Sequence, residues 1–404
     1  MRGALVSIAI VATAGLVAST AQSEPLNLAS IFSKPIEIGR DAALTEVPLS
    51  LRNGKLYLQA KINSYEGEFV FDTGSPTILD KSLADQLELE IIGENTGRDA
   101  NGKAVTMKIA MVDSISIGGV VFQHVPVMVH DYETVPLGKC YLPNGILGSE
   151  LLPGSAWQID TSNATLKIAA AVEELPESKS MQSAPLFVYG YPYAPFIDYS
   201  IGRFSDKALF DTGNSAEIAL FAEIEKDKQA RKQIDQSSIR IGSGRHGTSA
   251  GGQGSILPLK QFDLKTITVG NSELERTTAQ SRPIPPTLVG AGVLRTSIVT
   301  LDYPNRRFLM SPVEQLAGPR AKASFALMVI DGQVEVSQLF ESSKAHEAGL
   351  QLGDKVVAID GRQISTATES ERCETSLWLS NEFNPEEVGL LTVLRDNQLL
   401  EIAL

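Results

Sequence analysis

The chain has 404 residues, length for two to four domains, with 43% apolar and 21% charged residues and a formal net charge of −13. That balance excludes a disordered chain and speaks against non-specific nucleic-acid binding, which needs Lys and Arg against phosphates. Two distant cysteines, Cys140 and Cys373, and four histidines without a His-Glu-x-x-His pattern exclude a disulfide scaffold and point to no metal and no cofactor.

The first element is an export signal over residues 1–21. Arg2 gives a short positive start, Ala4 to Val17 is apolar, and Ser19-Thr20-Ala21 places small residues where cleavage after Ala21 is expected. The apolar run is shorter than the ~20 residues that span a bilayer. No cysteine near the cleavage point invites a lipid. The expectation is an exported protein, periplasmic or secreted, with no membrane span once the signal is removed.

Strands dominate the chain beyond the signal. Runs at 56–62, 68–71, 112–117 and 120–129 alternate or are wholly apolar and are bounded by Gly, Asn and Pro. Asn101-Gly102 marks a hairpin turn within about 96–110. Short helices are predicted at 81–89 and 222–234. The strongest signal is a repeat. Phe71-Asp72-Thr73-Gly74-Ser75 returns as Phe210-Asp211-Thr212-Gly213-Asn214, each after an apolar run. Gly145-Ile146-Leu147-Gly148 returns as Thr287-Leu288-Val289-Gly290, and Gln158-Ile159-Asp160 as Thr300-Leu301-Asp302. Several blocks recur in one order at nearly one spacing, so residues 45–170 and 183–311 read as two copies of one unit. Residues 171–182 read as the polar linker between them.

Paired carboxylates explain why such a unit would be doubled. Two carboxyls within ~3 Å cannot both ionise and share a proton. The ionised one can activate water while the protonated one donates to a carbonyl oxygen. Asp72 and Asp211 are the candidate catalytic pair. Thr73, Gly74, Ser75, Thr212, Gly213 and Asn214 would support their loops, with Ser75 and Asn214 as side-chain donors toward the carboxylates. On these motifs and the two apolar-apolar-Gly blocks, residues 45–311 resemble the aspartic peptidase family, pepsin-like and retropepsin-like. The resemblance implies a mostly β, two-lobed β-barrel protease acting on polypeptide substrates. Pro76 and Asn214 depart from the family pattern, and the first hairpin, with its tip at 99–103, lacks the flap tyrosine. The Gly-rich stretch 242–254 reads as a mobile second flap. A non-catalytic envelope protein that binds peptides on the same fold is the competing reading.

Residues 312–322 form a second polar linker. Beyond it, 323–404 contain Ala348-Gly349-Leu350-x-x-Gly353-Asp354-x-Val356-x-x-Ile359-Asp360-Gly361 and resemble a PDZ domain, a small α+β fold that adds a peptide strand to its edge. The resemblance implies C-terminal peptide ligands at Ser324, Phe325, Ala326 and Leu327, with a helix at 369–379 as the other wall. A small domain that only packs on the protease is the alternative. The linker suggests separately folding modules, the second recruiting or regulating substrates. Cys140 and Cys373 admit a disulfide or two separate thiols.

Overall fold

The computed structural model describes residues 31–189, 191–313 and 323–404. The expected export signal, and all of the expected second linker but Pro312 and Val313, lie outside the described residues. Within those described, no helix is long and apolar enough to cross a membrane.

The chain to residue 147 runs through β1 (Glu37–Arg40), β2 (Leu44–Pro48), β3 (Ser50–Arg52), β4 (Lys55–Ile62), β5 (Tyr65–Phe71), β6 (Ile78–Asp80), α1 (Lys81–Gln86), β7 (Ile91–Arg98), β8 (Ala104–Ile117), β9 (Val120–His130), α2 (Gly138–Tyr141) and β10 (Gly145–Leu147). Alternation sets the faces. In β4, Leu56, Leu58, Ala60 and Ile62 are buried while Gln59 and Lys61 reach solvent. In β5, Phe69, Val70 and Phe71 are all buried, so the strand carries Asp72 out of a fully covered layer. Strand β10 lies parallel to β5, with Leu147 beside Phe71, and antiparallel to β6.

The second copy repeats this plan. It comprises β13 (Gln182–Val188), β14 (Pro195–Ile201), β15 (Phe204–Asp211), β16 (Ile218–Phe221), α3 (Lys228–Gln233), β17 (Arg240–Arg245), β18 (Thr248–Ser249), β19 (Gly252–Gln253), β20 (Ile256–Val269), β21 (Ser272–Arg282) and β22 (Thr287–Gly290). Strand β22 is parallel to β15, with Asp211 beside Gly290, and antiparallel to β16. Each aspartate therefore leaves the same kind of three-strand layer.

Six antiparallel strands join the lobes. In order they are β2, β12 (Thr165–Ala169), β11 (Ala156–Asp160), β23 (Ser297–Asp302), β24 (Arg307–Pro312) and β13. Trp157 of β11 is fully buried and stacks on Phe71 and Phe122 at ring distances of 5.5 and 6.0 Å. Burying such a ring stabilises by about 2–3 kcal/mol, and here it anchors the strand that presents Asp72.

Two expectations are corrected locally. The predicted 222–234 helix breaks at Asp227, whose carboxylate caps Gln229 and Ala230 and starts α3 afresh. Residues 171–182 are not a loose linker: they form 3-10 turns that bury Val172, Leu175 and Met181.

The C-terminal unit contains β25 (Phe325–Ile330), β26 (Gln333–Phe340), α4 (Lys344–Glu347), β27 (Lys355–Ile359), β28 (Arg362–Gln363), α5 (Glu369–Asn381), β29 (Leu390–Arg395) and β30 (Gln398–Ala403) around its own apolar cluster. It is not a tethered module. Strand β26 pairs with β17 of the second lobe, Ser243 facing Leu339. Cys140 of α2 and Cys373 of α5 form a disulfide to the first lobe. Leu137 of the first lobe packs against the C-terminal cluster. The Tyr141 hydroxyl shares hydrogen bonds with Ser376 and Ser380 of α5, at 2.6 and 2.8 Å.

Candidate active site

The two Asp-Thr-Gly loops meet at the junction of the lobes. Thr73 N donates to Thr212 Oγ1 at 3.0 Å, and Thr212 N donates to Thr73 Oγ1 at 3.1 Å. Each hydroxyl then donates to the carbonyl before the opposite aspartate, Thr73 to Phe210 at 2.6 Å and Thr212 to Phe71 at 2.8 Å. Four buried bonds thus relate the loops by an approximate two-fold axis. Each carboxylate accepts from its own loop, Asp72 Oδ1 from Gly74 N at 2.9 Å and Asp211 Oδ1 from Gly213 N at 3.0 Å.

Glycine at 74 and 213 is a steric requirement. A Cβ on Gly74 would lie 2.6 Å from Asp211 Oδ1, and one on Gly213 would lie 2.2 Å from Asp72 Oδ2. Each carboxylate lies over the other loop's glycine, which brings the two acids together. The electrostatics reflect this closeness. Burial and the charge of Asp72 push the Asp211 carboxyl up to about 7. Burial also raises Asp72, against the pull of the Lys55 ammonium and the Gly74 N–H. Two acids so placed hold one proton between them over a range where isolated carboxyls are ionised.

Ser75 and Asn214 do something other than the donation expected of them. Ser75 Oγ donates to the Pro76 carbonyl at 2.8 Å, and Asn214 Oδ1 accepts from Ala216 N at 3.0 Å. Both side chains brace their own turns. Gly290 packs there too, since a Cβ would sit 2.9 Å from Asn214 Oδ1.

The two hairpins expected as flaps to roof the cleft touch each other. The first is the β7–β8 hairpin with its turn at 99–103, and the second is the β18–β19 turn. Asp99 accepts from Ser249 Oγ and from Gly251 N, the latter at 2.9 Å. Lys103 Nζ donates to the Gly251 and Gln253 carbonyls at 3.2 and 2.7 Å. His130 Nε2 donates to the Ala250 carbonyl at 3.1 Å. Burial opposes ionisation of Asp99, but the bonds from Ser249, Lys103 and Gly251 outweigh it and hold the carboxyl below its usual range. The roof is a latched pair, in which an aspartate and a lysine occupy the tip.

The second flap is tied to the C-terminal unit. Gln253 Nε2 donates to the Val329 carbonyl of β25 at 3.1 Å, and Gln338 Nε2 to the Arg245 carbonyl at 2.7 Å. Part of the predicted mobile flap is therefore fixed strand. Gly242 and Gly244 belong to β17, where a Cβ would meet the Leu339 and Ser337 carbonyl oxygens at 2.3 and 2.4 Å. The proposed peptide-tail loop is also engaged within the chain. Ser324 donates both its N–H and its hydroxyl to Glu386, Phe325 is fully buried against Phe383, and Leu327 is buried. Only Ala326 of the four is not buried.

Three further residues bear on the site and were not picked out by motif. Lys55 Nζ donates to the Gly213 carbonyl at 2.9 Å. Arg282 closes β21 and interacts electrostatically with Asp211. Glu150, buried beneath the first loop, accepts Thr77 N at 3.0 and 3.1 Å, and burial pushes its carboxyl up to about 7. The sequence signal for Glu150 is an acid inside the apolar block that ends at Leu152.

Residues 58–151, which include Asp72, match a family model described as aspartyl protease. The chain matches no curated protein at a significant level. The match lies wholly within the first lobe, so that segment is similar to aspartyl proteases.

Proposed function

We propose that the chain is an exported aspartic endopeptidase whose reaction centre is the Asp72–Asp211 pair. The observation that carries this reading is the reciprocal threonine bonding that sets the two carboxyls over each other's glycines. The ionised carboxylate takes a proton from a water molecule as its oxygen attacks the peptide carbonyl carbon. The protonated partner gives its proton to the carbonyl oxygen. In the resulting tetrahedral diol, a proton passes to the amide nitrogen, the C–N bond breaks, and one proton returns to the pair. No group on the protein becomes covalently modified.

The PDZ-like unit is read as a regulator that holds the roof. Leu137 on its apolar cluster and Gln253 on β25 support this over a free peptide-tail site. A peptide adding to β25 would compete with Gln253 and loosen the second flap. The deciding experiment is peptide-library cleavage by the mature protein beside Asp72→Asn. Cleavage by the first, and cleavage slower by about 100-fold or more by the second, is expected. Equal cleavage by both would overturn the dyad.

A further inference from the structure

The surroundings of the dyad are electrostatically lopsided. The β3–β4 turn of the first lobe crosses to the second, where a Cβ on Gly54 would lie 2.4 Å from Ser215 Cβ. The next residue, Lys55, reaches Gly213, within the Asp211 loop. Arg282, at the end of β21 in the second lobe, acts on Asp211 as well. Its Nε donates to the Ile284 carbonyl at 2.7 Å, and Ile284 Cδ1 lies 3.9 Å from where a Cβ on Gly102 of the first flap would stand. Arg282 is thus tied to a segment that neighbours the first flap while it acts on Asp211.

Neither cation forms an ion pair among the described residues. Arg282 keeps the rest of its guanidinium without a protein hydrogen bond among them, and neither side chain is fully buried. The repeat has no matching charge on the Asp72 side. At the spacing of the two aspartates, 139 residues, the counterpart of Lys55 is Ala194. In a chain of net charge −13, a dyad that shares one proton sets a single negative charge against these two half-buried cations, which leaves one of them to be balanced by a second anion.

We propose that Lys55 and Arg282 form a subsite for an acidic side chain, so that the preferred substrates are peptides with Asp or Glu on one side of the cleaved bond. This deepens the protease reading and rests on it. The cations offset the repulsion between a substrate carboxylate and the ionised dyad. The low-dielectric cleft under a latched roof strengthens their attraction for it. Lys55 acts on both aspartates but bonds within the Asp211 loop, and Arg282 acts on Asp211, so the subsite lies toward the Asp211 half.

The test uses matched fluorogenic peptides with Glu, Gln or Lys at each of four positions on either side of a common core, assayed at pH 6. For the unaltered protein, the Glu/Gln ratio of kcat/KM should be about tenfold or more at one or two positions on one side only. Raising the salt should shrink it. Lys55→Met and Arg282→Met should each bring the ratio toward one, and Lys55→Glu should reverse it in favour of the Lys peptide. A ratio between about 0.5 and 2 at every position overturns the subsite while leaving the protease reading intact. If no peptide is cleaved, the protease reading fails, and the same Glu and Gln peptides are titrated by fluorescence anisotropy onto Asp72→Asn protein. Tenfold tighter binding of the Glu peptide then upholds the subsite, and equal binding overturns it.

Discussion

Glu150 offers a direct measurement of what burial does beneath the first Asp-Thr-Gly loop. Both its oxygens face Thr77 N, and the residue is 2% exposed. Burial lifts its carboxyl from 4.5 to about 7, a difference worth about 3 kcal/mol between protonation states. The folded-state value is raised, so the sign is fixed. The stabilisation is complete below about pH 4.5, where both states are protonated. It is lost progressively as pH rises through about 7, because the unfolded chain ionises first. Glu150→Gln keeps an oxygen for Thr77 and removes the titration. The unfolding free energy of the variant minus that of the unaltered protein should therefore rise by about 3 kcal/mol between pH 4 and pH 8. Urea unfolding at several pH values measures it, read by Trp157 fluorescence with Trp378→Phe in both proteins. The subtraction cancels the titrations of Asp72 and Asp211. A difference constant to within about 0.5 kcal/mol would refute the reasoning, since burial would then not be setting this carboxyl.

Asp72→Asn or Asp211→Asn should lower kcat/KM by about 10²–10⁴-fold without unfolding the chain, checked by single-turnover assay with circular dichroism. The rate should fall as pH rises through about 7, where Asp211 gives up the shared proton; a pH–rate profile still climbing above pH 8 contradicts the mechanism. Asp99→Ala removes charge-assisted bonds worth about 2 kcal/mol, about 30-fold in the open-to-latched ratio. Hydrogen exchange at 96–104 and 247–254 should accelerate accordingly; unchanged exchange would mean that Lys103 and His130 hold the roof without it. The disulfide joins positions separated by 233 residues, so Cys140→Ser with Cys373→Ser should destabilise by up to about 5 kcal/mol on the chain-entropy account. A denaturation midpoint that does not move would show that strand pairing alone holds the C-terminal unit.

What was legible in the sequence was what the backbone carries locally. Phe69, Val70 and Phe71 announce a covered strand, and Thr73 and Gly74 have no other plausible reason to recur at 212 and 213 with their flanks. The flap turn at 99–103 is encoded by Asn101-Gly102. What was hidden depends on contacts between distant residues. Nothing near Ser324 announces that Glu386 will take its N–H, so an engaged loop reads as an open one. Gly242 and Gly244 look like hinge residues until Leu339 and Ser337 press on them. Polar linkers look slack when their few apolar residues, Val172 and Leu175, cannot be matched to a partner surface. Lys55 carries no motif, and its role emerges only once the turn at Gly54 is seen to cross between lobes.

The pairing of β17 with β26 has a consequence for solubility. Strand β17 has β20 on one flank and the C-terminal unit on the other. Removing residues 323–404 would leave Gly242, Ser243 and Gly244 as a bare edge, with glycines that offer no side chain to discourage another strand. The two lobes expressed alone should therefore associate edge to edge at concentrations where the full chain stays monodisperse, and a lysine at Ser243 should suppress that association. On that outcome the C-terminal unit would act as a chaperone in cis, guarding the strand that leads into the second flap from pairing with a neighbouring copy.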